Sequence, residues 1–316
     1  MPDPAPSRPD ELPVPKGGVF ALGNFDGVHL GHQAVIKAAI EKARGMGVPA
    51  RVLTFEPHPR SLFKPHIPPF RLTPAPAKLR ILRALGVDDV IVRPFTPEFS
   101  HVRAPEFVQQ ILLEDCGAQH VVAGFDFVFG QARGGNIGNL REWLSPHGVG
   151  VTEVTPFRDA GGNVMSSSRT REALREGDLG TARHILGRPW SIAGVVEHGA
   201  QRGREISVPT ANIALGDYMR PKFGVYAAHA GRVGGPIRGQ GVANIGIRPT
   251  VGGENELLEF HLFNFDGDIY GEEWEVELID FLRPEQRFAD MDALREQIHQ
   301  DMETAKARLM FSARSQ

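Results

Sequence analysis

The sequence is almost without cysteine, since Cys116 is the only one among 316 residues. A single thiol excludes an internal disulfide and any zinc or redox site built on paired cysteines. No apolar run is long enough to cross a membrane. The formal net charge of −3 excludes a strongly basic nucleic-acid-binding protein. We therefore expect a soluble cytoplasmic protein that binds neither nucleic acid nor a membrane, with the oligomeric state unknown.

The distribution of apolar residues predicts two domains after a tail. Residues 1–17 are rich in proline and charge, which is typical of a disordered segment. Residues 18–187 alternate short apolar runs with helical patterns, which predicts an α/β domain with a parallel sheet covered on both faces. Residues 188–316 carry short strand-like runs separated by glycine, which predicts a small antiparallel β-barrel. A last helical stretch, Met291–Leu309, is expected to pack against the barrel.

The segment Gly23–His32, which reads GNFDGVHLGH, follows a predicted strand and precedes a predicted helix. The glycines allow a tight turn, and the free N–H groups of a helix start can bind an anion. Its histidines could also be metal ligands or helix caps, although no cysteine or acidic cluster completes a tetrahedral metal site. The HxGH spacing resembles the signature of the nucleotidyltransferase superfamily, which favours the phosphate site. The residues predicted to build it are Gly23, Asp26, His29, Gly31 and His32.

Three other motifs follow predicted strands or precede a helix. The prolines of Thr54–Arg60 make a rigid loop in which His58 either faces a ligand or caps a helix. The rings of Gly124–Gly130 either line a flat heteroaromatic pocket or pack in the core. Ser166–Arg171 reads as an N-cap cluster ahead of a helix over Thr170–Leu186. Its hydroxyls, including those of Ser167 and Ser168, also suit a triphosphate clamp.

Together these motifs resemble the bacterial bifunctional riboflavin kinase/FMN adenylyltransferases, also called FAD synthetases. The resemblance covers nearly the whole chain beyond the tail. It implies a Rossmann-like FMN adenylyltransferase domain over 18–187 and a riboflavin kinase domain over 188–316. It further implies that His29 and His32 bind the ATP phosphates and stabilise the transition state, that Asn24 and Asp26 shape their loop, and that Arg171 reaches the phosphates. The residues implied around the flavin and adenine are Phe55, His58, Phe125, Asp126 and Phe127.

The second half carries its own chemistry. A flexible basic stretch suits a flap over phosphates, and its predicted ATP-binding residues are Gly199, Arg202, Gly203 and Arg204. Thr210 and Asn212 offer hard oxygen ligands of the kind Mg²⁺ prefers. Glu259 on a predicted strand reads by itself as a solvated side chain. Asn264–Asp268 after it is typical of a hairpin turn.

The PTAN segment ending at Asn212, the segment Gly241–Thr250 and Glu259 ahead of Tyr270 resemble a riboflavin kinase domain. By that resemblance, Thr210 and Asn212 hold Mg²⁺·ATP. Glu259 is then the general base that takes the proton from the ribityl 5′-hydroxyl. Ser207, Val208 and Asn264 depart from the family pattern, and the first two adjoin the ATP loop.

We thus expect an enzyme that converts riboflavin to FMN and FMN to FAD, with ATP as co-substrate and Mg²⁺ as cofactor. Its partners are riboflavin, FMN, FAD and ATP. One alternative is an FMN adenylyltransferase with a weakened kinase domain, and another is a non-catalytic flavin-binding protein. A carrier has no need of the general base and metal positions, so the residues at those positions favour the enzyme.

Overall fold

A computed structural model describes residues 15–197, 210–250 and 253–313. Side chains at 248–250, 253–255 and 311–313 lie outside the description. The described chain forms two compact units, each with a sheet of its own.

The first unit comprises the described residues up to Phe25 together with Gly31–Pro65 and Ile81–Arg158. It is built on a five-stranded parallel sheet. The strands are β1 (Val19–Leu22), β2 (Ala50–Glu56), β3 (Asp89–Pro94), β4 (His120–Gly124) and β5 (Gly150–Val154). Their order is β3-β2-β1-β4-β5. The central β1 is apolar and fully buried, as expected of a strand covered on both faces. The predicted parallel α/β architecture is confirmed.

Helices join these strands. They are α1 (Leu30–Met46), α2 (Pro59–Phe63), α3 (Ala75–Ala84), α4 (Pro97–Ser100), α5 (Ala104–Glu106) and α6 (Ile137–Leu144). A π-helix, Phe107–Asp115, continues α5. Its buried face, with Phe107 and Leu112, packs in the same apolar core as β1 and β4.

The second unit comprises Asp26–Leu30, His66–Arg80 and the described residues from Asp159 onward. Its sheet is antiparallel. The strands are β6 (Trp190–Val195), β7 (Ala211–Ala214), β8 (Gly224–Arg232), β9 (Ile237–Thr250), β10 (Gly253–Leu262) and β11 (Glu273–Arg283). They are ordered β6-β11-β8-β9-β10-β7. An antiparallel bridge between Glu197 and Asn212 brings the two ends of the sheet together. This nearly closed barrel confirms the predicted fold class.

Three helices accompany the barrel: α7 (Ser167–Glu176), α8 (Leu179–Leu186) and α9 (Met291–Ala313). The prediction of one helix over Thr170–Leu186 is wrong. Gly177 ends α7 with φ of +77°, and the Asp178 carboxylate caps α8 by accepting the Thr181 N–H at 2.9 Å. A glycine in the left-handed conformation and a capping aspartate together stop one helix and start the next.

The hairpin turn predicted at Asn264–Asp268 is also wrong. The strand before it, β10, pairs with β9 and β7, whereas β11 after it pairs with β8 and β6. Asn264 does adopt a turn conformation, with φ of +52°. The local turn conformation at Asn264 is therefore present, but packing across the barrel determines which strands pair.

Helices α7 and α8 belong to the second unit. Leu174, Leu179 and Leu186 share a core with Trp190 and Trp274 of the barrel strands. The boundary between the two compact units therefore does not lie at Gly187. The domain boundary at Gly187 stays a prediction about where the two activities divide.

Candidate active sites

The order of the parallel sheet reverses between β1 and β4, and ligands of such sheets bind beyond the carboxyl ends of the strands at that point. Gly23 and Asn24 come directly after β1, while Phe125 and Asp126 come directly after β4. The Thr54 hydroxyl of the neighbouring strand donates to the Asn24 carbonyl at 3.2 Å. The topology thus places two predicted motifs at the expected binding edge of the first unit.

Phe25 explains why the first of these loops begins with glycine. Its ring lies where a Cβ on Gly23 would come within 2.9 Å, so a larger residue would force the ring to move. The same ring meets the His32 imidazole edge to face, with centroids 5.3 Å apart. Gly23 thereby allows the buried Phe25 to contact His32 from within the loop.

Asp26 belongs to the second unit and is almost fully buried there. Its carboxylate accepts the N–H groups of Leu72 and Thr73, both at 3.0 Å. It also forms ion pairs with Arg71 and Arg171. The carboxylate is thus engaged with its own chain, and direct ATP binding by Asp26 stays a prediction.

His29, in the same segment, is also buried. Burial lowers its pKa to about 4, and the nearby cations Arg171 and Arg188 act in the same direction, whereas Asp26 acts against them. At neutral pH the imidazole of the free protein is therefore uncharged. A neutral imidazole still offers one N–H donor, which suits hydrogen bonding to a phosphate oxygen.

The N-cap predicted in the segment before α7 is confirmed. Ser166 is the N-cap, and its hydroxyl accepts the Arg169 N–H at 3.3 Å. Arg169 pairs with Asp159 at 2.6 Å. The Asn163 N–H, with Arg169 in support, lowers the pKa of Asp159 to about 2. Ser168 is exposed on the first turn of the helix.

Arg171, on the same helix, has a guanidinium that is already engaged. Its Nε donates to the Phe70 carbonyl at 2.8 Å, and its other end pairs with Asp26. The guanidinium also lies over the Phe70 ring, 5.6 Å from the centroid. Arg171 therefore anchors the second unit around Asp26, and contact of Arg171, Ser167 or Ser168 with ATP stays a prediction.

The predicted flavin-binding residues of the first unit divide by exposure. Phe55 is buried among Phe95, Phe99 and Phe107, so its ring is part of the aromatic core. Phe125, by contrast, is 44% exposed.

The remaining predicted flavin-binding residues lie at the same edge. Asp126 is exposed, and Phe127 stacks on the buried Phe129 with centroids 5.7 Å apart. His58 caps α2, because its Nδ1 accepts the Arg60 N–H at 3.1 Å. For His58 the capping interpretation is confirmed, and flavin binding by these residues stays a prediction.

A second group of polar residues lies in one row on the barrel. Glu259 on β10 is directly opposite Asn212 on β7 and directly opposite Asn244 on β9. Residues opposite each other in antiparallel strands project from the same face, so these side chains are neighbours. The adjacent residues Leu258 and Phe260 are buried in the barrel core, which places the row on the outer face.

Asn212 is 4% exposed, and its side-chain oxygen has no hydrogen-bond partner among the described residues. A buried amide oxygen without a donor is costly, so such an atom indicates a missing partner. Thr210, two residues earlier, is half-buried, and its carbonyl accepts the Tyr270 hydroxyl at 3.4 Å. Glu259 is half-buried. These oxygens match the preference of Mg²⁺ for hard ligands.

Sequence reasoning gave Asn244 no role, although it lies within the motif Gly241–Thr250. The Asn244 amide donates to Glu285 Oε1 at 3.3 Å. The same carboxylate lies where a Cβ on Gly246 would collide with it. The signal that could have identified Asn244 is its position opposite Glu259, which requires knowledge of the strand register.

The predicted ATP-binding residues Gly199, Arg202, Gly203 and Arg204 lie outside the described residues, as do Ser207 and Val208. Within the described part of the chain, no three His, Cys, Asp or Glu residues are grouped closely enough to hold a metal ion. No helix in the described ranges combines the length and hydropathy needed to span a bilayer.

Comparison with known proteins identifies the family. The FAD synthetase model matches residues 12–169, and the riboflavin kinase model matches residues 186–309. The bifunctional riboflavin kinase/FMN adenylyltransferase of Escherichia coli strain K12 is 39% identical over 292 residues, covering 92% of each chain. That of Haemophilus influenzae strain Rd is 41% identical over 295 residues, covering 93% of this chain and 95% of the relative.

A solved structure is similar to most of the chain. A crystal structure described as a macrolide-efflux protein from Streptococcus pneumoniae has a TM-score of 0.81 and 32% identity, and it covers 93% of this chain and 95% of that one. Both family models and both relatives thus indicate the same family. The chain belongs to the family of bifunctional riboflavin kinase/FMN adenylyltransferases.

Proposed function

We propose that this chain phosphorylates riboflavin to FMN and then adenylylates FMN to FAD, using one ATP in each step. The first reaction transfers the γ-phosphoryl group to the ribityl 5′-hydroxyl and releases ADP. In the second, the FMN phosphate attacks the α-phosphorus of ATP and pyrophosphate leaves. Both family matches support this assignment, since they cover 12–169 and 186–309.

For the kinase step, Glu259 is the general base. An alcohol is a weak nucleophile at neutral pH, so removal of its proton during attack lowers the barrier. The observation that carries this assignment is the row of Asn212, Glu259 and Asn244, which sets a half-buried carboxylate between two amides. Thr210 and Asn212 hold Mg²⁺·ATP, which is supported by the buried Asn212 oxygen that has no hydrogen-bond partner in the part of the chain that the structure describes. When bound, the ion supplies positive charge to the phosphates.

For the adenylyl step no protein base is required, because the FMN phosphate is already ionised. The chain has to align the two phosphates and stabilise the charge that builds up on them. His29 and His32 do this as hydrogen-bond donors. The neutral state of His29 supports the role of donor over that of a permanent cation. Phe125 and Asp126, exposed beyond β4, contact the flavin or adenine.

The test is to incubate the purified protein with riboflavin, ATP and Mg²⁺ and to separate the flavins by chromatography. We expect FMN to appear first and FAD to follow. Formation of FMN without FAD would contradict the adenylyltransferase assignment. Formation of FAD from added FMN, without any FMN from riboflavin, would contradict the kinase assignment and leave the single-activity alternative.

A further inference from the structure

The segment Asp26–Leu30 is held by side chains that are distant in sequence. The Ser167 hydroxyl donates to the Asp26 carbonyl, and the Gly27 N–H donates to the Thr73 hydroxyl, both at 2.8 Å. Arg188 holds the next two carbonyls, with Nη2 at 2.9 Å from Gly27 O and Nη1 at 3.3 Å from Val28 O. Consecutive backbone groups of the segment are thus fixed from outside.

Val28 is the strained point of this segment. It has φ of +44° and no exposed surface. A β-branched residue in the left-handed region is disfavoured, because its side chain crowds its own backbone. Such a conformation persists where the surroundings over-determine it, and strained residues of this kind cluster at functional sites. Val28 immediately precedes His29.

Arg188 suits the task of holding that conformation. Its planar guanidinium carries donors in a fixed fork, so it binds two successive carbonyls in one geometry. Nη1 also lies 3.4 Å from the Leu186 carbonyl, which ties the fork to the end of α8. Burial lowers the pKa of Arg188 to about 10, so it is still a cation at neutral pH. It falls within the match to the riboflavin kinase family, residues 186–309.

We propose that Arg188 is a positioning residue for adenylyl transfer: it keeps Val28 in the left-handed conformation and thereby orients His29. A residue in the kinase-matching part of the chain thus supports the other activity. The inference rests on the proposed function, in which His29 acts on the ATP phosphates. It adds a residue that does not itself touch the substrate.

The test compares Arg188→Lys and Arg188→Ala with the wild-type full-length protein. Lysine keeps the charge but loses the forked arrangement of donors, and alanine loses both. Both variants should therefore lower kcat for FAD formation from FMN. We expect a loss of about 10- to 100-fold, in line with the effect of a small misplacement of a reacting group. KM for ATP and the rate of FMN formation from riboflavin should stay within about twofold. Arg175→Ala, at an exposed arginine of α7, is the matched control and should change neither activity.

A double-mutant cycle tests the proposed route through Val28. Glycine adopts a positive φ without strain, so the Val28→Gly protein needs no external hold on this residue. Because Val28→Gly also removes buried methyl groups, the double variant is compared with the Val28→Gly protein, and Arg188→Ala is compared with the wild type. In that background, Arg188→Ala should lower kcat at least about fivefold less than in the wild-type background.

Several outcomes would overturn the proposal. One is an unchanged rate of FAD formation in Arg188→Ala. Another is an equal loss of both activities, which would indicate a general folding defect that thermal unfolding would reveal. An equal effect of Arg188→Ala in both Val28 backgrounds would also contradict it. If the wild-type protein formed no FAD at all, the proposed function itself would fail, and the two failures are therefore distinguishable.

Discussion

Glu259 lies directly opposite Asn212 across the β10–β7 ladder, and the amide oxygen of Asn212 is buried without a donor among the described residues. Residues opposite each other in an antiparallel ladder project from the same face, so the two side chains are neighbours. A buried amide oxygen without a donor is costly, so it indicates a place for a cation or a proton donor. The geometry therefore connects the proposed base with the proposed metal position before any ligand is considered.

Glu259→Gln should abolish FMN formation while leaving FAD formation from added FMN unchanged. The amide keeps the shape of the side chain but cannot accept the proton, and loss of a general base costs about 10²- to 10⁴-fold in rate. Separate assays with riboflavin and with FMN measure the two activities. Glu273→Gln, at an exposed glutamate of β11, is the matched control. A normal kinase rate in Glu259→Gln would remove Glu259 from the mechanism.

Asn212→Ala should raise the Mg²⁺ concentration that half-saturates the kinase, by at least about tenfold, because it removes one oxygen ligand. Without metal, the substitution deletes a buried oxygen that has no partner among the residues the structure describes, so we expect little loss of thermal stability. The second measurement is the rise in Tm on addition of Mg²⁺·ADP, which should shrink in the variant. An unchanged Mg²⁺ dependence would show that Asn212 does not bind the ion.

His29→Ala and His32→Ala should each remove FAD formation and preserve FMN formation. In the proposed function the two histidines serve adenylyl transfer alone, and loss of a preorganised donor to a developing charge costs about 10²- to 10³-fold. The readout is flavin chromatography after incubation with either flavin substrate. The two-site model would be wrong if either variant lost both activities while staying folded by circular dichroism.

The stability of the ligand-free protein should depend on pH through His29. Its pKa is about 4 when folded, against an ordinary value of 6.5. As the pH falls, the unfolded chain takes up the proton before the folded protein does. The free energy of unfolding therefore keeps its full value with respect to His29 above pH 6.5 and decreases between pH 6.5 and about 4. The full loss amounts to roughly 3 kcal/mol.

Urea unfolding across that pH range should accordingly show a shallower slope in His29→Gln than in the wild type. His147→Gln, at an exposed histidine, is the control and should keep the wild-type slope. Equal slopes in all three proteins would mean that His29 is not held neutral by burial.

Asp26→Asn should destabilise the protein by about 3 to 5 kcal/mol, because it leaves the buried guanidinium groups of Arg71 and Arg171 without their counter-ion. The exposed pair of Arg141 and Glu153 provides the comparison. Glu153→Gln should cost about 1 kcal/mol or less, since solvent screens that pair. Urea unfolding at pH 7 measures both, and similar values for the two variants would argue against a structural charge cluster at Asp26.

Much of the architecture is predictable because its signals are local. The apolar run at β1 and the alternation in Glu273–Leu278 indicate strands without any knowledge of their partners. Ser166 is recognisable as an N-cap from the residues around it. The single helix predicted over Thr170–Leu186 failed at Gly177 and Asp178, whose stop and start signals are themselves local and were outweighed by the apolar periodicity.

The pairing of strands was not predictable in the same way. The turn at Asn264 is real, yet β10 and β11 do not pair, because barrel closure selects other partners. Likewise β7 is only four residues long, and no periodicity in so short a segment marks it as a strand. Asn244 had no predicted role for the same reason, since its relation to Glu259 exists only through register.

The segment Gly23–His32 shows the same division. The sequence by itself determined its position between a strand and a helix and its chemistry, because glycines and histidines at fixed spacing carry that information in their own covalent structure. Only the tertiary structure decided that Asp26 is an internal anchor, that His29 is held neutral and that Val28 is strained. Those properties depend on burial and on partners such as Arg171 and Arg188, which the folded chain brings to this segment from more than a hundred residues away.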